Sequence, residues 1–341
     1  MLSFTRKNFD TPDGGGGAAP GFSEPLRRKP VVGIALGAGA ARGWSHIGVL
    51  RELAAHGLKP DIVAGTSIGA VVGGCHVAGQ LDALETFARS LSRRRIFGLM
   101  DVSFSGSGLI GGSKLKNLLD EAVGDRDIES LPTGFATVAT EMGSGHEIWL
   151  TRGHLVSAIR ASYALPGIFE PVRVADRWLF DGALVNPVPV TVCRALGAEL
   201  VIAVNIIGDT LFRGTVVGDQ AALDRTLQSI TDQAGAQAQL PEAAGFLTGM
   251  RAKNSELRRA PGIAAAMMDA FNITQDRISR SRLAGDPPDV MISARLGKVG
   301  LFDFHRADEL IAMGREAARR ALPDIAAHIE LMPVGGDVSA I

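Results

Sequence analysis

Two short apolar runs, each stopped by a glycine, set the pattern of the chain's first half. Val31 to Leu36 holds only apolar residues and glycine before Gly37, and Asp61-Ile62-Val63-Ala64 runs likewise into Gly65. Runs without polar alternation predict parallel strands buried on both faces. Between them Ile47, Leu50, Leu53 and Ala54 recur at helical spacing until Gly57 ends the run, so the pattern is that of a βαβ unit. Ala70-Val71-Val72-Gly73-Gly74-Cys75 then predicts a tightly packed helix. Later, Trp178-Leu179-Phe180 predicts a strand that breaks at Asp181-Gly182-Ala183, and Asn186-Pro187 with Pro189 opens another helix. Leu200 to Ile206 predicts a further buried strand.

The chemistry lies in the loops that these strands feed. Gly37-Ala38-Gly39-Ala40-Ala41-Arg42-Gly43 follows the first strand and offers a row of backbone N–H groups. Gly65-Thr66-Ser67-Ile68-Gly69 follows the second, with Ser67 at the apex of a strand-to-helix elbow whose crowding calls for small residues at Gly65 and Gly69. The helix after it points its N-terminal dipole at the serine and favours developing negative charge. A nucleophile beside an anion hole is the machinery of acyl transfer. A dinucleotide fingerprint is the rival reading of the glycine loop. It fails because Arg42 stands where the third glycine belongs, and because the second strand ends in the serine elbow rather than in an acid that could hold a ribose. Asp181, at a strand end before glycine, reads alone as a turn former. Beside the other two motifs it becomes the candidate base.

With these residues in view, the chain resembles the bacterial patatin-like phospholipases, in the branch that includes the catalytic domain of neuropathy target esterase. The resemblance rests on Leu36 to Leu50 (LGAGAARGWSHIGVL), Ala64 to Ala70 (AGTSIGA), Ala158 to Pro171 (AIRASYALPGIFEP) and Asp181 to Ala183 (DGA). Weaker echoes follow at Asp289 to Ile292 and Phe304 to Ile311. The family implies a three-layer α/β/α sandwich with a mainly parallel central sheet. It also implies a Ser-Asp dyad without histidine, hydrolysing lipid acyl esters with no cofactor. Carried onto this chain, Ser67 falls on the nucleophile and Asp181 on the general base, with Gly182 and Ala183 as its turn. Gly37, Ala38, Gly39, Ala40, Arg42 and Gly43 fall on the oxyanion loop. Many members have three glycines before that arginine, where this chain has Ala38, Gly39 and Ala40. Alanine keeps the N–H but restricts φ, which leaves the identity of the donors open. Arg42 either orients a substrate phosphate or, the reading favoured here, fixes the loop. His46 and His76 adjoin the motifs, and packing or capping is the favoured role for each.

Composition narrows the rest. With 35 basic and 36 acidic residues among 341, the chain has no electrostatic footprint for nucleic acid. Cys75 and Cys193 fall in apolar helical contexts that suit reduced thiols, and no CxxC or HExxH spacing suggests a metal. Residues 1–28 lack a signal-like apolar core and read as a flexible tail, 29–323 as the catalytic domain and 324–341 as its C-terminal end. The expected location is cytoplasmic, with peripheral contact at the inner membrane face left as an alternative. Within it 208–288 is a variable helical segment, a lid or membrane-facing part. From Gly245 to Arg282 that segment has seven basic residues (Arg251, Lys253, Arg258, Arg259, Arg277, Arg280, Arg282) against three acidic ones. Ile263, Met267, Phe271 and Ile278 are expected on one helical face, a combination suited to anionic lipid or to a packed helix with a solvated side. Two other readings compete with the dyad hydrolase: a catalytically idle module that binds acyl chains or a protein, and a Ser-Asp-His hydrolase using His305. Head group, acyl length and oligomeric state are not legible.

Overall fold

The computed structural model describes residues 29–99, 108–110, 113–207, 262–297 and 299–331. The tail at 1–28, the residues at 332–341 and the 208–261 part of the variable segment, with Arg251, Lys253, Arg258 and Arg259, lie outside them. The architecture is an eight-stranded mixed sheet with helices on both sides, the expected three-layer α/β/α sandwich.

The expected βαβ unit is present as β1 (Val32–Leu36), α1 (Trp44–Ala55) and β2 (Ile62–Thr66), followed by α2 (Ile68–Val77). After α3 (Leu81–Arg89), α4 (Arg93–Leu99), β3 (Gly108–Ile110) and α5 (Ser113–Val123) come β4 (Gly134–Glu141), β5 (Glu147–Leu150) and α6 (Leu155–Tyr163). Next are β6 (Gly167–Phe169), β7 (Val172–Val174), β8 (Arg177–Asp181), α7 (Val190–Ala195) and β9 (Leu200–Asn205). The described chain closes with α8 (Ile263–Gly285), β10 (Val290–Ser293) and α9 (Ala307–Leu331). Because α9 runs on through Pro323, the expected limit at residue 323 falls inside a helix.

The sheet order is β10-β9-β1-β2-β4-β8-β7, with β5 on β4, while β3 and β6 pair separately. Strands β10, β9, β1, β2 and β4 are parallel; β5, β8 and β7 are antiparallel to their neighbours. Alternation along β1 shows the layers: Ile34 and Leu36 join the large core under α1, α2, α6 and α9, while Ala35 faces the cluster under α7 and α8.

Strand β4 has a property that matters for the site. Thr137 and Val138 pair with both β2 and β5, so those two strands lie on opposite edges of β4; Ala139 and Thr140 pair with both β5 and β8, so β8 lies opposite β5 as well. Strands β2 and β8 therefore share one edge of β4, end to end and running toward each other. Thr66 sits opposite Val138 and Asp181 opposite Ala139.

Candidate active site

This register brings Ser67 and Asp181 together. Ser67 is the apex between β2 and α2, at φ 57° and ψ −122°, a conformation that costs a non-glycine residue on the order of 1–3 kcal/mol. Glycine is required around it: a Cβ on Gly65 would come within 2.5 Å of the Gly69 carbonyl oxygen, and one on Gly69 would collide with the Leu36 carbonyl. The Ser67 N–H donates to Ser162 Oγ at 3.0 Å, and Ser162 in turn donates to the Val138 carbonyl at 2.6 Å. The Ser67 carbonyl accepts from Ala70 and Val71 N–H, which starts α2 directly behind the serine.

Ser67 Oγ donates to Asp181 Oδ2 at 2.6 Å. Asp181 Oδ1 accepts the Ala183 N–H at 2.8 Å, and its backbone is held by Ala164 and Thr140. The carboxyl is buried, and that burial pushes its pKa up to about 7 against the opposing hydrogen bonds from Ser67 and Ala183. A buried carboxylate with one neutral donor on each oxygen and no cation on it holds a proton far more readily than one in water.

The glycine loop packs against the start of α2, with Gly43 on Ile68 and the Gly37 carbonyl beside Gly69. Gly37 N–H is taken by Val204, Ala38 N–H by Pro187, Ala41 N–H by Leu301 and Arg42 N–H by Gly39. The N–H groups of Gly39 and Ala40, and those of Ile68 and Gly69 at the start of α2, have no partner among the described residues. Ala40 sits at φ 49°, in the left-handed region that alanine disfavours.

Residues 34–194 match the family described as Patatin-like phospholipase. Over 329 residues the chain is 35% identical to an NTE family protein of Mycobacterium tuberculosis described as uncharacterized, covering 86% of this chain and 91% of that protein. The chain belongs to the patatin-like phospholipase family. A lysophospholipase of Yarrowia lipolytica is 32% identical over 181 residues, 52% of this chain and 13% of that protein. Among solved structures, VipD from Legionella pneumophila aligns with 89% of this chain and 68% of that chain, at TM-score 0.42 and 13% identity.

In this patatin-like chain no histidine hydrogen-bonds either member of the pair. His46 is fully buried, and its Nε2–H donates to the Gly37 carbonyl at 2.7 Å. Burial drives its pKa down to about 4, so it is neutral and props the loop. His76 lies at the far end of α2, about 13 Å along the helix from Ser67. His305 is in the short turn before α9, beside Asp303. Among the described residues no group of three or more His, Cys, Asp or Glu is placed to hold a metal.

Sequence reasoning passed over several residues of the site. Ser162 lay inside the quoted ASYALPGIFEP block with no role attached, although it holds the backbone of Ser67. Thr66 Oγ1 donates to the Asn186 carbonyl at 2.9 Å, and Asn186 Nδ2 donates to Glu147 at 2.7 Å. Glu147 also pairs with Arg282 of α8, and Arg282 donates to the Val185 carbonyl. No local pattern marks that chain of contacts, because its members come from four different elements. Of the expected apolar stripe, Phe271 packs on Ala38, Ala183 and Ile207, and Ile278 lines a cleft of about 420 Å³ against Asn186 and Val188. Met267 is exposed. That cleft lies on the α7 face; the small one that touches the loop, about 20 Å³, is bounded by Gly39, Arg42, Ile207, Asn272, Gln275 and Leu301.

Proposed function

We propose that the protein is a serine lipid acyl hydrolase that cleaves carboxylic esters through an acyl-enzyme on Ser67, with Asp181 as general base. The observation that carries this reading is the 2.6 Å hydrogen bond from Ser67 Oγ to a buried carboxyl whose pKa is raised to about 7. A base poised near working pH takes a proton efficiently and gives it back. As Ser67 Oγ bonds to the ester carbonyl carbon, its proton passes to Asp181 Oδ2 and the carbonyl oxygen becomes an oxyanion. The uncommitted N–H groups of Gly39, Ala40 and Ile68 are the donors placed to receive it. Collapse breaks the ester C–O bond, and the departing alcohol takes the proton from Asp181. Water then adds to the acyl carbon, losing its proton to Asp181; the acyl carbon–Ser67 Oγ bond breaks, Ser67 Oγ takes that proton back from Asp181, and the acid departs.

Similarity to the Yarrowia lysophospholipase supports a lipid ester as substrate. An idle binding module would have no reason to keep a carboxyl buried without a cation against a strained serine, an arrangement with a standing energetic cost. A fluorophosphonate probe tests the reading without knowledge of the substrate. The expected result is a single modified peptide containing Ser67, lost in Ser67→Ala together with hydrolysis of p-nitrophenyl butyrate. Asp181→Asn should lose activity by orders of magnitude and His305→Ala should keep most of it. Normal ester hydrolysis by folded Ser67→Ala would end the proposal.

A further inference from the structure

The oxyanion loop is held from two sides, and the second side comes from residues outside the stretch that matches the family. On the near side, the carbonyls of Val204 and Pro187 take the N–H groups of Gly37 and Ala38, and His46 takes up the Gly37 carbonyl. On the far side, the Leu301 carbonyl accepts the Ala41 N–H at 2.9 Å and the Val299 carbonyl accepts Arg42 Nε–H at 2.9 Å. The Phe304 carbonyl accepts Trp44 Nε1–H at 3.2 Å, and the Trp44 and Phe304 rings meet edge to face, with centroids 5.9 Å apart. Only Gly39 and Ala40, between the two sets of anchors, keep uncommitted N–H groups in the stretch 37–42.

Ala40 lies in the left-handed region at φ 49°, where a free alanine does not stay. A strained segment persists only where its surroundings over-determine it. The far anchors are three carbonyls on one six-residue turn, and that turn is itself ordered by one side chain. Asp303 Oδ2 accepts the Gly300 N–H at 2.9 Å and an Arg306 guanidinium N–H at 3.3 Å, while the Asp303 N–H closes back on the Gly300 carbonyl at 3.2 Å. These bonds hold the Asp303 carboxyl below its ordinary pKa, with the Gly300 N–H the largest cause.

We propose that the turn Val299–Phe304 is a working part of the active site, and that Asp303 is a positioning residue which, through the Leu301, Val299 and Phe304 carbonyls, fixes the two donor N–H groups of Gly39 and Ala40 toward the reacting carbonyl. This rests on the serine hydrolase reading. It adds to it a residue more than a hundred positions from either member of the dyad. Asp303 touches neither the dyad nor the donors; it acts by holding the frame in which the donors are aimed. Losing an oxyanion donor outright costs about 100-fold or more in kcat. Loosening the frame of two donors while leaving them in place should cost about 10-fold.

The test compares wild type, Asp303→Ala, Asp303→Asn and Trp44→Phe on p-nitrophenyl butyrate across pH, with fluorophosphonate labelling of Ser67 in parallel. Asp303→Ala should lower kcat about 10-fold, leave KM within about twofold, and leave the midpoint of the pH profile in place because Asp181 is untouched. Asp303→Asn retains an acceptor for the Gly300 N–H and should recover most of the loss. Trp44→Phe keeps the ring on Phe304 but removes one anchor, and should show a smaller loss of the same kind should Asp303→Ala fail to fold. An unchanged kcat in Asp303→Ala, a pH midpoint that moves with kcat, or an Asp303→Asn as impaired as Asp303→Ala would each overturn the proposal. Wild type that neither labels nor hydrolyses would instead overturn the hydrolase reading.

Discussion

At the scale of single residues, the site turns on what burial does to Asp181. An exposed aspartate near pKa 3.9 would be a poor acceptor for a serine proton. Buried at the end of β8, the same group sits at about 7. Two measurements follow from that value. Ester hydrolysis should rise with pH along a single limb with its midpoint near 7 and reach a plateau above it, since only the carboxylate accepts the proton. Stability should move the other way. Between about pH 4 and about pH 7 the folded protein holds a proton on Asp181 that the unfolded chain has lost, so folding weakens as pH rises through that window. The whole effect is on the order of 4 kcal/mol. Asp181→Asn should therefore be inactive yet more stable than wild type at pH 8, with the difference shrinking toward pH 4. Denaturant midpoints at the two pH values check this; a variant less stable than wild type at pH 8 would place the proton elsewhere. Ser67 and Asp181 were both legible from their motifs, and a raised proton affinity follows for an aspartate in a dry pocket, but the degree of burial was not legible, because it depends on neighbours from β4, α6 and the chain after Asp181.

Among elements, α1 and α9 approach each other closely through paired glycines. A Cβ on Gly48 would collide with the Ile311 carbonyl, and one on Gly314 with the Ser45 carbonyl, so the two helices cross backbone to backbone. Ser45 Oγ also donates to the Arg42 carbonyl at 2.7 Å, which ties this crossing to the end of the glycine loop. Gly314→Ala should force the helices apart and cost about 1–3 kcal/mol, a drop in thermal midpoint of a few degrees for a chain of this size. An unaltered midpoint would mean that the crossing has slack. The hydrophobic pattern announced α1 through Ile47, Leu50 and Leu53, and it announced β1 and β2. It could not announce the partner of α1, because the matching glycine is more than 260 residues away. The buried side of α8 was also misread in part. An apolar stripe was expected, whereas the helix buries Gln275, Asp276 and Ser279 and turns Met267 and Ile273 outward. Asp276 pairs with Arg280, and Arg282 reaches Glu147, so polar contacts as well as apolar ones seat this helix.

For the molecule as a whole, the remaining question is how a lipid ester is met. No helix among the described residues is long and apolar enough to cross a membrane. The exposed side of α8 carries Ile273, Arg277 and Arg280 within about 60° of one another around the helix. With Phe271 turned inward, the expectation to be tested on this side is an electrostatic contact with a bilayer rather than an insertion. Each basic residue near an anionic surface contributes about 1 kcal/mol, and salt screens it. Arg277→Glu with Arg280→Glu should weaken sedimentation with phosphatidylserine vesicles at low salt and leave hydrolysis of a soluble ester nearly unchanged. Equal binding by the folded double variant would leave α8 as a packed helix with a solvated face.

Local sequence was enough for the βαβ start, the serine elbow, the glycine loop and the aspartate before Gly182. Each is written in a few adjacent residues whose type is dictated by local sterics: glycines where a Cβ would strike backbone, apolar runs where a strand is covered on both faces. Three-dimensional packing decided that β2 and β8 meet end to end along β4, which brings Ser67 Oγ to Asp181 across 114 residues. It also decided which loop N–H groups remain uncommitted, because their competitors are carbonyls at Pro187, Val204 and Leu301. Pairing register and hydrogen-bond competition between distant segments are properties of packing, and no window along the chain contains both partners.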